Sequence, residues 1–403
     1  MSKRLIFIGC VYPEDTFNNM IMSGEKVDFA AHRLQKTLLK GFSTIYDKID
    51  IVTAPLVVSY PHSTIKELKN KYFTIGNNIE GYQTGYINLP LIKLISKCLR
   101  MKRQIEQLRV DEGTHVIIYA PHNPFIIASL RLLKTKGVKS CLIVPDLPNY
   151  MNPQMNWARR IAKKMDVSIM NYLTRHIGSF VLLSPLMMEK FELHGKPWLH
   201  MEGALDTSDI PNEMIETKKA TEIKTILYTG RADKRYGIAL LLEAFSHIET
   251  PTYRLIIRGD GDMIEEVQKR STIDNRIQYV GKLSDKELQK LQREATILIN
   301  PVPSNEEFTK YFFPSKTMEY LASGTPTLMC RLKCMPCDYE DYVYYIEDES
   351  PVGMAEKIKE ICEKPKEELI QFGQLARMFV LCKKNAEVQA KRIHQFIETE
   401  VTE

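Results

Sequence analysis

Short runs of consecutive apolar residues alternate along this chain with longer stretches in which apolar positions recur every three or four residues. The first pattern predicts buried strands and the second amphipathic helices. Strand-like runs fall at 4–11, 49–53, 115–119, 142–144 and 180–183, then at 225–228, 254–257, 277–280, 295–299, 327–330 and 342–346. Helical spacing predicts helices over 29–39, 91–108, 125–136, 157–176 and 186–193. A second series follows at 238–247, 285–293, a short helix before Gly324, and 351–362, 367–380 and 384–399. Alternation of this kind gives an α/β fold of parallel sheets joined by right-handed crossovers. Residues 207–224 are polar, charge-rich and without a strong period, which reads as a linker. The expected division is therefore a domain over 1–205, a second over 206–380, and a terminal helix within 381–403. Residues 57–85 read as less regular, and 12–24 as a long polar loop of the kind that carries function. Asp47, Lys48 and Asp50 read as solvated flanks of the second strand.

Composition narrows the class. A chain of 403 residues is too long for one ordinary core. With 44% hydrophobic and 26% charged residues it is globular rather than disordered. No apolar run approaches the roughly 20 residues of a spanning helix. The apolar start is too short for a signal peptide and runs into Glu14-Asp15 after Pro13, so it is read as the first strand and the protein as cytoplasmic. The net charge of +5 suits an anionic nucleotide or an anionic membrane surface. Arg159, Arg160, Lys163 and Lys164 share one helical face beside Trp157 and Ile161, a pattern that can lie on anionic lipid at the membrane's inner face. Cys330, Cys334 and Cys337 have the C-x3-C-x2-C spacing of an iron–sulfur site. They fall late, directly after a strand and with no aromatic before the last cysteine, so the spacing is read as chance.

The chemistry concentrates in 300–327, NPVPSNEEFTKYFFPSKTMEYLASGTPT. A polar loop leaves a buried strand and enters a short helix, with Ser315 as N-cap and Gly324 as C-cap. Loops and helix N-termini at the carboxyl ends of strands are where open α/β sheets bind ligands. Lys310 and Lys316 suit phosphate, and Glu319, one turn further in, suits a sugar diol. Together they describe a nucleotide-sugar site. In the first half, His122 and Asp146 lie just beyond the carboxyl ends of two strands, where a second substrate would sit. The 259–264 stretch lacks the third glycine of G-x-G-x-x-G, because Ile264 stands there, so a dinucleotide fingerprint is rejected.

The stretch F-x-K-Y-x-F-P-S-K-x-x-E-Y-L-A-S-G-T-P, from Phe308 to Pro326, resembles the donor-site segment of a large retaining glycosyltransferase family. This is glycosyltransferase family four, of group 1 type, which includes bacterial sucrose- and mannosyl-type transferases; the closest branch is that of capsule and exopolysaccharide clusters. The segments 228–237, 241–245, 258–262 and 279–283 fit in the same order. The resemblance implies the GT-B fold, two Rossmann-like doubly wound domains facing across a cleft, with the last helix crossing back to the first. It implies retaining transfer of a hexose from a nucleotide-diphosphate sugar to a saccharide acceptor carried on a polyprenyl lipid. No cofactor, metal or nucleic acid is expected. Arg231, Lys316 and His122 take catalytic places, with Tyr119 the alternative to His122 when the prolines are aligned, and Glu319 the ribose hydroxyls. Ser315, Arg235, Lys234, Gly230, Tyr311 and Gly259 line the donor site, and Asp146 and Tyr12 the acceptor. Two positions depart from the pattern: Tyr236 stands where many relatives carry Lys, and Tyr311 where the first acid of a Glu, seven residues, Glu pair belongs. Two other readings stay open: an epimerase or hydrolase of nucleotide sugars, and a non-catalytic sugar-binding partner of a transferase.

Overall fold

The alternation seen in the sequence resolves into two separate sheets. The computed structural model describes residues 3–147, 157–208, 210 and 222–400. One unit comprises Met1–Ala204 with Ala386–Glu403, the other Leu205–Asn385. Most of the stretch read as a linker lies outside the described residues.

The first unit contains β1 (Arg4–Gly9), α1 (Glu14–Met22), α2 (Phe29–Phe42), β2 (Lys48–Thr53), β3 (Glu67–Leu68), β4 (Lys71–Ile75), β5 (Ile79–Gln83) and β6 (Tyr86–Ile87). It continues through α3 (Ile92–Ile105), β7 (His115–Tyr119), α4 (Asn123–Leu133), β8 (Lys139–Val144), α5 (Trp157–Leu173), β9 (Ser179–Leu182) and β10 (Trp198–His200). Its eight-stranded sheet has the order β10-β9-β8-β7-β1-β2-β5-β4. Pairing is parallel throughout except between β4 and β5. β7 is buried along its whole length and β1 and β8 beyond their first residues, as continuous apolar runs require when helices cover both faces. Strand order reverses between β1 and β7, so the loops leaving these two strands part at one point.

Three sequence expectations are corrected here. The presumed 12–24 loop contains helix α1, nine residues long, of which only Met20 is buried; its period is weak because little of it meets the core. The irregular 57–85 stretch holds three short strands, β3, β4 and β5, and β3 pairs with β6 just beyond it as a separate antiparallel ribbon. Asp50 is buried, not solvated: Arg4 Nε donates to its Oδ2 at 2.7 Å. A strand's alternating faces place it inward, and the arginine satisfies the charge.

The second unit contains β11 (Lys224–Thr229), α6 (Ile238–Ser246), β12 (Tyr253–Arg258), α7 (Ile264–Ile273), β13 (Ile277–Tyr279), α8 (Asp285–Glu294) and β14 (Ile297–Asn300). It ends with α9 (Lys316–Ser323), β15 (Thr327–Cys330), β16 (Tyr344–Ile346), α10 (Pro351–Cys362) and α11 (Lys366–Lys383). All six strands are parallel, in the order β13-β12-β11-β14-β15-β16, so the reversal lies between β11 and β14. Chain entry and exit are adjacent, with Leu205 bridged to Asn385 and its N–H donating to the Lys384 carbonyl at 2.8 Å.

The last helix, α12 (Ala386–Glu400), belongs to the first unit and packs on α2. Gly41 makes the approach possible, since a Cβ there would stand 2.1 Å from the Ala386 carbonyl oxygen. A polar chain fixes its far end. Glu398 Oε1 lies 3.2 Å from His115 Nε2. Tyr46 Oη lies 2.7 Å from His115 Nδ1 and 3.1 Å from His394 Nδ1, and Lys3 Nζ 3.5 Å from His394 Nε2. An ammonium only donates, so from Lys3 through His394 and Tyr46 to His115 Nδ1 the chain is satisfied with both imidazoles neutral, while His115 Nε2 approaches Glu398 without a hydrogen bond among the described residues.

Candidate active site

In the second unit the switch point lies between β11 and β14, and the loops leaving these strands carry most of the residues named above. Gly237 shows how closely they meet. Its φ is +82°, and a Cβ would fall 1.9 Å from the Pro301 carbonyl oxygen at the exit of β14. Glycine alone meets both conditions. The β11 loop is also lashed to the β12 exit. Ala232 N–H donates to the Asp260 carbonyl at 2.7 Å, and Met263 N–H to the Ala232 carbonyl at 2.9 Å. Gly259 lies under Gly230, whose carbonyl oxygen would be 1.6 Å from a Cβ.

Arg231 stands on this platform with its side chain largely in solvent. Its Nε donates to Asp233 Oδ2 at 2.9 Å, and this hydrogen bond holds the guanidinium above even its usual range. Asp233 is buried, and its other oxygen accepts the Asp262 N–H at 3.0 Å. One carboxylate therefore fixes both the arginine and the neighbouring loop. Asp233 was absent from the sequence reading, although an acid two residues after a loop arginine was a usable signal.

Across the switch point, α9 brings Lys316 and Glu319 to one side of its first turn, with Lys316 Nζ 2.8 Å from Glu319 Oε2. Ser315 occupies the N-cap position but makes no side-chain capping bond, which corrects the expected role and leaves its side chain exposed. Gly324 is the left-handed C-cap, φ +74°, as the Gly-Thr-Pro sequence implied. Tyr320, also unforeseen, locks α9 to β11. Its hydroxyl accepts the Thr229 N–H at 2.8 Å and donates to the Thr229 carbonyl at 2.9 Å.

The two departures from the family pattern have structural explanations. Arg235 lies over the Tyr236 and Phe308 rings, 4.8 and 5.3 Å from their centroids, so an aromatic pair holds the cation. Lys234 is exposed next to it. Tyr311 is buried, and its hydroxyl donates to Glu307 Oε1 at 3.0 Å. A carboxylate four residues upstream is thus tied to the position where the family's first acid belongs.

In the first unit, the switch-point loops carry Tyr12 and His122. Tyr12 is buried, with its hydroxyl donating to the Leu56 carbonyl at 2.6 Å, so its polar end is already engaged. His122 is the N-cap residue of α4 and follows Ala120, a non-glycine residue at φ +79°. Strain of that kind is held at sites where side-chain direction matters. The His122 ring meets Phe125 edge-on, and its Nε2 is buried without a partner among the described residues. Burial, then Lys97, Lys93 and Lys163, keep the imidazole neutral, far below its usual range. Asp146 reaches solvent at the exit of β8; desolvation of its carboxyl, then the Asp28 carboxylate, raise it to about 6.

Cys330 and Cys334 are buried, the second pushed up to about 12 by desolvation, while Cys337 is exposed. Among the described residues, the one group of three metal-ligand side chains is His115, His394 and Glu398, which belongs to the α12 anchor.

Comparison with known proteins places this geometry. Residues 223–364 match the family model described as Glycosyl transferases group 1. The matched stretch falls within the second unit. The Arg231 platform and the Lys316–Glu319 pair both lie inside it. No curated protein matches the chain. Among solved structures, sucrose-phosphate synthase from Thermosynechococcus elongatus is similar over 98% of both chains, at TM-score 0.66 and 13% identity. A mutant of S. aureus TarM, in complex with fondaparinux, alpha-GlcNAc-glycerol and UDP, is similar over 99% of this chain and 100% of its own, at 0.61 and 11%. Anabaena Alr3699/HepE in complex with UDP is similar over 98% and 100%, at 0.62 and 11%. These likenesses show the fold, two Rossmann-like α/β domains of the GT-B class.

Proposed function

We propose that this protein is a retaining hexosyltransferase that moves a sugar from a nucleoside diphosphate to a saccharide acceptor carried on a lipid. The pathway proposed is assembly of a cell-surface polysaccharide, capsule or exopolysaccharide. The observation that carries the reading is the Arg231–Asp233 platform facing the Lys316–Glu319 pair at one switch point, within the stretch that matches the group 1 family model. As the glycosidic bond breaks, negative charge grows on the leaving diphosphate. Arg231, pre-aimed by Asp233, and Lys316 meet that charge without reorganisation, which is how fixed cations lower a barrier. They supply the counter-charge, so the reaction is proposed to need neither metal nor cofactor.

The Lys316–Glu319 pair is the resting arrangement. A bound nucleotide separates it, with phosphate taking the ammonium and ribose hydroxyls the carboxylate. Glu307, held by Tyr311, takes the sugar contact that position 311 cannot make. Neutral His122, aimed by the Ala120 turn, and Asp146 serve the transferred sugar and the acceptor. The reading includes peripheral contact at the inner face of the cytoplasmic membrane, where a lipid-linked acceptor would be met. No helix among the described residues is long and apolar enough to cross a membrane.

A thermal-shift panel with uridine, guanosine and adenosine diphosphates tests the donor site, because a ligand that binds only the native state raises its stability. UDP comes first, since the TarM and HepE structures hold it. A shift with one nucleotide that Glu319→Ala abolishes is the expected result. No shift with any of them refutes the donor-site assignment and favours the non-catalytic reading. Free sugar released with no acceptor present marks a hydrolase instead.

A further inference from the structure

Two helices of the first unit carry apolar stripes that face solvent. Along α5, Trp157, Ile161, Met165 and Ile169 recur every four residues, all exposed, with Trp157 at 77%. On α3, Ile95 and Leu99 continue the line begun by Leu91, which is 93% exposed. Leu91 also has φ +69° at the N-cap of α3, so a strained backbone holds a fully exposed leucine. α4 packs between α3 and α5 and adds exposed Ile127. The three helices thus form one layer whose outer surface is apolar where a monomer's surface ordinarily is not.

Charge identifies the occupant. Leaving out buried Lys97, α3, α4 and α5 hold nine basic residues against one acidic, a balance of +8 in a chain whose total is +5, although Arg100 pairs with Glu67, Lys102 and Arg131 with Glu106, and Lys163 with Asp166. The remainder of the protein is net negative, so the basicity is local to this layer. Arg160 and Lys164 are exposed beside the α5 stripe, and Lys102 and Arg103 at the end of the α3 stripe. The Arg159 side chain lies outside the described residues. A protein partner of ordinary composition would complement the apolar part alone. Apolar and aromatic side chains flanked by Lys and Arg match the boundary between acyl chains and anionic headgroups.

We propose that the outer face of α3, α4 and α5 docks on an anionic phospholipid bilayer, with Leu91, Ile95, Leu99 and the Trp157–Ile169 stripe entering the headgroup boundary. The proposal deepens the membrane contact in the reading above and uses no donor-site residue, so the two fail separately. The test is flotation of the full chain with vesicles of phosphatidylcholine alone or mixed with phosphatidylglycerol. Binding is expected with the anionic vesicles only and is weakened by salt. The variants are Ile95→Asp with Met165→Asp, and Arg160→Glu with Lys164→Glu. Each pair is expected to weaken binding by about tenfold or more while the UDP thermal shift stays as in the wild type. Equal binding by wild type and variants, or none to anionic vesicles, overturns the proposal. So does a dimer in light scattering that the apolar variant splits, since the face would then belong to a second copy.

Discussion

Lys97 offers a direct check on the physics of the first unit. It is fully buried on α3, its Nζ no closer than 3.5 Å to the Ala54 and Pro55 carbonyls and 4.4 Å from the Tyr86 ring centroid. Among the described residues no carboxylate pairs with it, and desolvation, then Lys93, lower it from 10.5 to about 7. At about 1.4 kcal/mol per pH unit, keeping this amine buried costs about 4 kcal/mol at pH 7 and about 2 kcal/mol at pH 9. The sign follows from proton counts. Between pH 7 and 10.5 the unfolded chain holds the proton that the folded one has released, so stability gains from this group as pH rises. Cys10, raised to about 12, and Tyr12 and Tyr86, raised still higher, lose their protons first in the unfolded chain, but they do so in wild type and variant alike, so the difference between the two reads Lys97. Lys97→Met keeps the stem's packing and removes the charge. The variant should therefore be more stable than wild type at pH 7, and its advantage should shrink by about 2 kcal/mol on going to pH 9. Urea unfolding followed by tryptophan fluorescence reads this cleanly, since Trp157 and Trp198 both belong to the first unit. An advantage that does not change with pH would refute the buried-amine argument.

Other outcomes follow from the second unit and the terminal helix. Lys316→Ala and Glu319→Ala should each abolish transfer while circular dichroism stays unchanged; full activity in both would remove α9 from the site. Asp233→Asn should loosen Arg231 and lower kcat/KM by about tenfold or more, the scale of one charge-assisted hydrogen bond, whereas an unchanged rate would show that Arg231 needs no anchor. Gly237→Ala forces a left-handed alanine against the Pro301 carbonyl and should cost about 2 kcal/mol or more, seen as a lower Tm and a smaller UDP shift; a normal Tm counts against the close approach. His115, lowered by burial with Glu398 opposing and His394, Lys139 and Lys3 assisting, is neutral when folded. The unfolded chain takes up its proton first, so stability is lost as pH falls below 6.5. Hydrogen-exchange protection factors along α12, corrected for the intrinsic pH dependence, should fall on acidification in the wild type and much less in His115→Gln; identical pH profiles would count against the anchor.

How much of this was legible in the sequence depended on whether a residue announced its own surroundings. Apolar runs announced the strands, because a parallel strand covered on both faces has no polar position to blur it. β1, β7 and β14 appear where they were expected, within a few residues. The three strands between 57 and 85 escaped because they are short and lie at or next to a sheet edge or in a two-stranded ribbon, where alternation gives way to local turns. α1 escaped for the related reason that a helix burying one residue has almost no period. In the site, Gly324 and Gly237 were readable because backbone geometry constrains residue choice locally. Asp233 and Tyr320 were not, since their importance is a long-range fact: one aims an arginine and braces a second loop, the other ties α9 to a strand ninety-one positions away. The same distinction governs Tyr311. A sequence pattern asks which residue stands at a position, while the chemistry asks which functional group reaches it. Glu307 accepts a hydrogen bond from that tyrosine and pairs with Lys310 through its other oxygen. Glu307→Gln separates two cases. Loss of kcat with UDP binding retained would show the displaced carboxylate acting at the transferred sugar, and an unchanged kcat would return Tyr311 to a structural role.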